Sequence, residues 1–214
     1  SNQVTIIWGK PEVANIADAT RHQTVLGASG AAGGSANPPV IYNSLLGTKF
    51  KIIYGYGATD TRIAVERKEV DGIGSIAWAA AKSFMAPLLA RPDATVLIQL
   101  GLRPEPDLPN VPLLIDLVKD DPEKVSIARF MGLTSIVART FAAPPGIPEQ
   151  RLHILRRAFE RVLIDPAFKA DAARANLDID PMSGDEVTKA VAEILATPKR
   201  TIDSVKESMS DAAK

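Results

Sequence analysis

Cysteine is absent from the 214-residue sequence, which excludes disulfide frameworks, thiol nucleophiles and cysteine-based zinc sites together. Histidine is scarce, at two residues, His22 and His153, and there is no HExxH or other close pair of ligands. No metal and no cofactor is therefore expected. Aromatic residues make up only 5%. Excess charge of either sign is missing too, since Lys plus Arg and Asp plus Glu each number 25. A nucleic-acid binder normally carries a basic surplus to displace counterions from phosphates, so nucleic acid is not an expected partner. No apolar run approaches the roughly 20 residues that span a bilayer. What remains is ordinary globular usage, 46% hydrophobic and 23% charged, which argues against disorder. A chain of this length buries roughly 70% of the surface its unfolded form exposes.

Through the first half, strand-like runs alternate with helical patterns, as in a parallel α/β sheet. Residues 4–8 read as a strand, as do 24–28. A glycine-rich turn, Ser29-Gly30-Ala31-Ala32-Gly33-Gly34-Ser35, leads into a helix over 37–46, with Val40, Ile41, Leu45 and Leu46 at helical spacing. Pro38 and Pro39 suit its first turn and Gly47 its end. The unit repeats as a strand over 50–54, the turn Gly55-Tyr56-Gly57 and a helix over 60–68. A strand over 70–75, a helix over 78–84 and a strand over 96–100 follow. The proline-rich stretch 103–112 is expected to be a surface connection. Short helices are expected near 113–118 and 122–130, then a strand over 134–142.

The remainder reads as helix. Leu152, Leu155, Phe159 and Val162 make one apolar stripe over 149–164. Asp165-Pro166 fits an N-cap with proline at the first helical position, and Ser183-Gly184-Asp185-Glu186 has the Ser-x-x-Glu form of a capping box. Pro198 kinks or restarts the last helix. This C-terminal third has no sheet of its own.

The glycine-rich turn carries the strongest local signal. A strand running through small residues into a helix leaves backbone N–H groups aimed at one spot, where the helix dipole adds roughly half a positive charge. Carboxylate or phosphate binds such a place without a cationic side chain. Gly30, Gly33 and Gly34 allow close approach to the main chain, and Ser29 and Ser35 add hydroxyls. From the residues alone, a loop whose Ser35 or Asn37 only caps the next helix is an equal alternative. The glycines do not fall as GxGxxG, and the Lys-Ser/Thr ending of a P-loop is missing. Gly27-Ala28-Ser29-Gly30-Ala31 fails the last position of a nucleophile elbow. Parallel strands end on one edge of a sheet, so this turn, Gly57-Ala58-Thr59 and the turn from Ser75 to Trp78 are expected to cluster. For Tyr56 and Trp78, ordinary packing is the plainer role. His22 and His153 read as surface residues on helices, and Glu66-Arg67-Lys68-Glu69 as a solvated face.

In order and spacing the motifs resemble the extracytoplasmic solute receptors of tripartite tricarboxylate transporters. The likeness rests on Val25-Leu26-Gly27-Ala28-Ser29-Gly30-Ala31, Leu45-Leu46-Gly47-Thr48-Lys49-Phe50-Lys51, Gly55-Tyr56-Gly57 and Ala64-Val65-Glu66-Arg67-Lys68-Glu69-Val70-Asp71-Gly72. It continues through Leu108-Pro109-Asn110-Val111-Pro112 and Ala142-Ala143-Pro144-Pro145-Gly146-Ile147-Pro148, and covers roughly residues 4 to 205. The resemblance implies a type II periplasmic binding protein-like α/β fold. Residues 10–133 would form the second lobe, with a parallel or mixed sheet. Residues 134–214 would return to the first lobe, whose N-terminal part (about a hundred residues with a signal peptide) would lie outside this sequence. Two departures stand out: Gly57-Ala58-Thr59 is one residue short of the usual turn, and Lys68 stands where glycine is common.

What the resemblance implies about function is capture of a small organic acid in the periplasm, without chemistry, and its delivery to membrane permease subunits. The ligand-facing residues would be Ser29, Gly30, Ala31, Gly33, Gly34, Ser35, Gly57, Ala58, Thr59, Ser75 and Trp78. An incomplete first lobe would favour self-association, through the edge of the strand expected over 134–142. The alternatives are an α/β enzyme that holds a phosphate-bearing substrate at the 29–35 loop, and a regulatory binding domain that is not coupled to transport.

Overall fold

The computed structural model describes residues 1–31, 33–175, 177 and 179–211; Ala32 of the glycine-rich turn lies outside them. Five strands form one sheet: β1 (Gln3–Trp8), β2 (Thr24–Ala28), β3 (Phe50–Tyr54), β4 (Gly72–Ala77) and β5 (Ala94–Leu100). The helices are α1 (Asn37–Leu46), α2 (Ala58–Glu66), α3 (Trp78–Phe84), α4 (Ala86–Leu89), α5 (Leu114–Leu117), α6 (Pro122–Ile136), α7 (Glu149–Ile164), α8 (Pro166–Arg174), α9 (Gly184–Leu195) and α10 (Lys199–Asp211). The strand order is β3-β2-β4-β1-β5. Strand β2 runs parallel to β3 and β4, whereas β1 is antiparallel to both β4 and β5. The sheet is therefore mixed. A helical crossover joins parallel neighbours, but the link from β1 to β2 holds only the single-turn helix Asp18–Thr20. Trp8 thus ends β1 at the edge where β2 starts, and β1 must run against the rest.

Alternation along the strands loads both faces. Val4, Ile6 and Trp8 face α2, α3 and α4, in a cluster with Val65, Ile73, Trp78 and Met85. Ile7, Leu26, Ile98 and Leu100 face the other way, toward Ile41 and Tyr42 of α1 and Ile127 and Met131 of α6. Each large side chain buried here contributes roughly 1.5–3 kcal/mol. Val205 and Met209 of α10 pack against the second of these clusters, so the last helix lies back on the sheet. The proline-rich connection is held by Gln99, which is fully buried. Its carboxamide oxygen accepts from Asn2 Nδ2 and Glu105 N, and its nitrogen donates to the Leu108 and Val111 carbonyls.

Several expected boundaries moved. The fourth strand begins at Gly72 rather than residue 70 because Asp71 is used as a tie, its N–H donating to Val25 O and its carboxylate accepting from Val25 N and Lys10 Nζ. The helix expected over 60–68 spans Ala58–Glu66, and Lys68 takes a left-handed φ of 59°. Lys68 N donates to Val65 O and Glu69 N to Ala64 O, the two bonds of a Schellman ending, whose left-handed position usually falls to glycine.

The strand expected over 134–142 is absent: α6 continues to Ile136, a single-turn helix follows over Val137–Arg139, and irregular chain comes after it. β-branched residues there suggested a strand, but α6 is started by the Asp121 side chain accepting from Glu123 N and Lys124 N and held by buried Ile127, Ala128, Met131 and Leu133. The hydroxyls of Thr134 and Ser135 donate back to Met131 O, which satisfies them inside a helix. His22 lies in a bend after the single-turn helix rather than on a helix, and His153 is on α7; both are exposed.

Beyond residue 140 the character changes. The caps at Asp165 and Ser183 form as expected, with Asp165 accepting from Ala167 N and Phe168 N and Ser183 paired reciprocally with Glu186. Yet α7 buries none of its residues, and its stripe and surroundings leave Leu155, Phe159, Val162, Ile164 and Phe168 exposed.

Candidate functional site

Because β2, β3 and β4 are parallel, Ala28, Tyr54 and Ala77 end on the same edge, and the three turns after them lie side by side. Tyr56 N donates to Ala28 O at 3.0 Å, joining the first two. A Cβ placed on Gly74 would sit 2.5 Å from Ser35 O and 3.2 Å from Pro39 Cγ. Glycine in β4 therefore lets the end of the 29–35 loop and the start of α1 close onto the sheet. At Gly27 a Cβ would meet Thr61 of α2 at 3.1 Å. The strands thus give way to backbone contact where the turns meet.

The loop itself is shaped by its serines and glycines. Ser29 N donates to Ser35 Oγ at 2.9 Å, and the two hydroxyl oxygens are 3.0 Å apart. Gly33 N closes on Gly30 O at 2.8 Å, and a Cβ on Gly33 would approach Ser29 Oγ to 2.6 Å. Ser29, Ala31 and Gly34 are exposed. The first turn of α1 presents fewer donors than a helix start usually does. Ala36 N and Asn37 N both donate to Gly33 O, Val40 N donates to Ala36 O, and Pro38 and Pro39 have no N–H. The Ser29 and Ser35 hydroxyls therefore stand at this turn beside a helix start whose dipole favours negative charge.

At the second turn, Gly57 caps α2 and Asp60 stands at the third helical position, its Oδ2 accepting from Gly57 N at 3.2 Å. Ala58 and Thr59 are exposed at the start of the helix. The spacing Gly57-x-x-Asp60 is half of a capping box and was open to recognition in the sequence; that it sets a carboxylate over the turn was missed.

The third turn is covered. Ser75 is buried, with its hydroxyl donating to Gln3 Oε1 at 3.1 Å. Trp78 N donates to Asn2 O at 2.9 Å and Ala79 N to Ser1 Oγ at 3.0 Å. Trp78 is buried in the core cluster, and its indole N–H donates to Asp107 Oδ2 at 3.3 Å. Lys82 Nζ lies 2.6 Å from the same oxygen and 5.9 Å from the indole ring centre. Together Lys82 and the indole hold the exposed Asp107 carboxyl below the usual carboxylate range. Ser29, Gly30, Ala31, Gly33, Gly34, Ser35, Gly57, Ala58 and Thr59 thus lie on two adjacent turns that are exposed or half-buried, while Ser75 and Trp78 are covered by residues 1–3 and Asp107. No group of three or more metal-ligating side chains occurs among the described residues.

No protein-family profile and no curated protein matches the sequence. Solved structures do. A TctC solute binding protein from Polaromonas, without ligand, superposes with a TM-score of 0.65 at 13% identity, over 95% of this chain and 66% of its own. An R. palustris protein solved with adipate gives 0.59 at 14%, over 98% of this chain and 65% of its own. The periplasmic binding protein BugD gives 0.51 at 15%, over 99% and 66%. The fold is that of a periplasmic binding protein. At such identities the likeness establishes the fold alone, and the chain spans just under two thirds of each of these proteins.

Proposed function

We propose that the chain is the larger part of an extracytoplasmic solute receptor that captures a small organic carboxylate for a tripartite tricarboxylate-type transporter, without chemistry. Residues 10–133 serve as the second lobe. Residues 134–214 contribute to the first, although α6 runs through that boundary and α10 lies back on the sheet. The observation that carries the reading is the meeting of the 29–35 loop and the Gly57–Thr59 turn on one open sheet edge. Two supports come from the neighbours: one is a solute binding protein and another was solved with adipate. The carboxylate is held by loop N–H groups and the Ser29–Ser35 hydroxyl pair, and closure of a facing lobe strengthens those bonds by excluding water. Delivery to permease subunits in the periplasmic space follows from the same reading.

The apolar face of α7 and α8 belongs to the first-lobe side, and in this chain alone it drives self-association between copies. With no strand over 134–142 the contact is helical rather than an edge pairing. The test of the reading is titration of the chain with adipate, observed by NMR so that millimolar binding registers. Saturable shifts that Ser35→Ala weakens about tenfold support it. A ligand response that is absent, or indifferent to Ser35→Ala, overturns it.

A further inference from the structure

We infer that α7 and α8 form an arm that swings relative to the rest of the molecule, that α9 and α10 stay fixed to the sheet, and that Arg156 is the catch between them. The motion belongs to the chain itself and does not depend on what the 29–35 loop holds. Helix α10 is tied down along its length. Thr201 is buried, with its hydroxyl 2.9 Å from that of Ser126 on α6, and Ser208 Oγ donates to Ser44 Oγ of α1 at 3.0 Å. Arg200 Nη1 lies 3.0 Å from Glu123 Oε1, and Val205 and Met209 pack against the core cluster that holds Ile41 and Ile127. Helix α9 is fixed to α6 by the Arg129–Glu193 ion pair and buries Ala190.

Helices α7 and α8 are held differently. Helix α7 buries no residue and α8 only Ala172. The Phe141 ring lies 5.4 Å from that of Phe159 but is itself 86% exposed, so this contact joins the arm to its own approach and not to the sheet. Among the described residues, Arg156 is the one side chain of the two helices with a hydrogen bond or ion pair to another element. Its Nη1 lies 2.7 Å from Asp185 Oδ1 and its Nη2 3.4 Å from Thr188 Oγ1, both on α9. Gly184 makes room for it, since a Cβ there would sit 2.4 Å from Arg156 Nε. Asp185 is 82% exposed, and a pair so open to water holds little. The approach to α7 over 140–148 is irregular and includes Gly146 at a left-handed φ of 78°. Few buried contacts, one solvated tie and an irregular approach favour motion of the unit as a whole, on the microsecond-to-millisecond scale of hinge movements. Where a facing lobe closes on the sheet edge, α7 and α8 are then the part of this chain that travels with it.

The chain has no cysteine, so pairs of introduced cysteines carry spin labels at chosen sites, and the distance distribution between labels reads the motion. Lys51 on β3 is the reference, and Lys206 on α10, Lys189 on α9 and Lys169 on α8 are its exposed partners. Labelled chain is diluted into excess unlabelled chain, so that each pair lies within one molecule. Lys51→Cys combined with Lys206→Cys or with Lys189→Cys is expected to give a narrow distribution. Combined with Lys169→Cys it is expected to give one about twice as broad. Arg156→Ala broadens the last distribution further and leaves the other two narrow, which also shows that the variant is folded. Added salt loosens the same catch without a substitution. A distribution from β3 to α8 that is as narrow as that from β3 to α10, with and without Arg156→Ala, overturns the inference. Distributions to α9 and α10 as broad as that to α8 overturn it too, because the chain after α6 would then move as one. A broad distribution to α8 that neither Arg156→Ala nor salt changes removes Arg156 as the catch. No ligand enters these measurements, so the carboxylate reading can fail while the arm stands, and the reverse.

Discussion

The sheet region up to Ile136 and the helices after it treat apolar residues in opposite ways. In the first, both faces of the sheet are covered, and Leu26, Ile98 and Leu114 are wholly buried. In the second, α7 buries no residue, Ile164 is 71% exposed and Leu195 is 81% exposed. Both regions have well-formed helix caps, so local signals do not explain the contrast. Helix formation by itself needs only an initiating cap and suitable residues, whereas stability comes from an apolar face that finds a partner. Helix α7 has such a face and buries none of it, whereas Val205 and Met209 of α10 find a partner in the sheet.

Core truncation should separate the regions most. Leu26→Ala is expected to cost about 3–4 kcal/mol in denaturant unfolding, against under about 0.5 kcal/mol for Leu155→Ala. Equal losses would show that α7 is as well packed as the sheet. Next in size is association. Sedimentation at rising concentration is expected to show oligomers that revert to monomer when Leu155, Phe159 and Ile164 are changed together to polar residues. A wild type that stays monomeric would mean that the exposed face does not drive assembly.

Smaller effects probe the sheet region from within. Lys68→Gly relieves a left-handed backbone in an L residue and is expected to stabilise by about 1 kcal/mol; a loss would show that the Lys68 side chain outweighs the strain. Tyr42 is fully buried and its hydroxyl makes no hydrogen bond of normal geometry among the described residues; burial raises its pKa, and the Thr5 side chain offsets only part of this. Removing that oxygen by Tyr42→Phe leaves no desolvated polar group, so stability should hold or rise by up to about 1 kcal/mol. A marked loss would point to a partner for the hydroxyl.

Much of the sheet region was legible from local chemistry. Residues 24–28, 37–46 and 50–54 were bounded correctly because glycine, proline and short apolar runs fix those ends, and Gly47 stops α1 with φ 71°. The direction of β1 was not legible, since it depends on which neighbours it pairs with. The false strand over 134–142 came from β-branched residues whose helical state is set by the packing of α6. At the site, the sequence named the converging turns, but it could not show that Ser75 and Trp78 lie under cover. Nor did it show that Gly33 O and two prolines leave few donors at the start of α1, or that Asn2 and Ser1 take the first two at α3, because pairing across the fold decides which N–H groups remain.

The central claim is that backbone and hydroxyl groups of the 29–35 loop, rather than a reactive side chain, hold a carboxylate. The most direct measurement is the amide chemical shift of each residue during titration of the chain with adipate. The account predicts saturable movement of Gly30, Ala31, Gly34 and Ser35, with little change at Trp78 and Ala79. Saturable shifts confined to other parts of the molecule, with the loop unmoved, would contradict it.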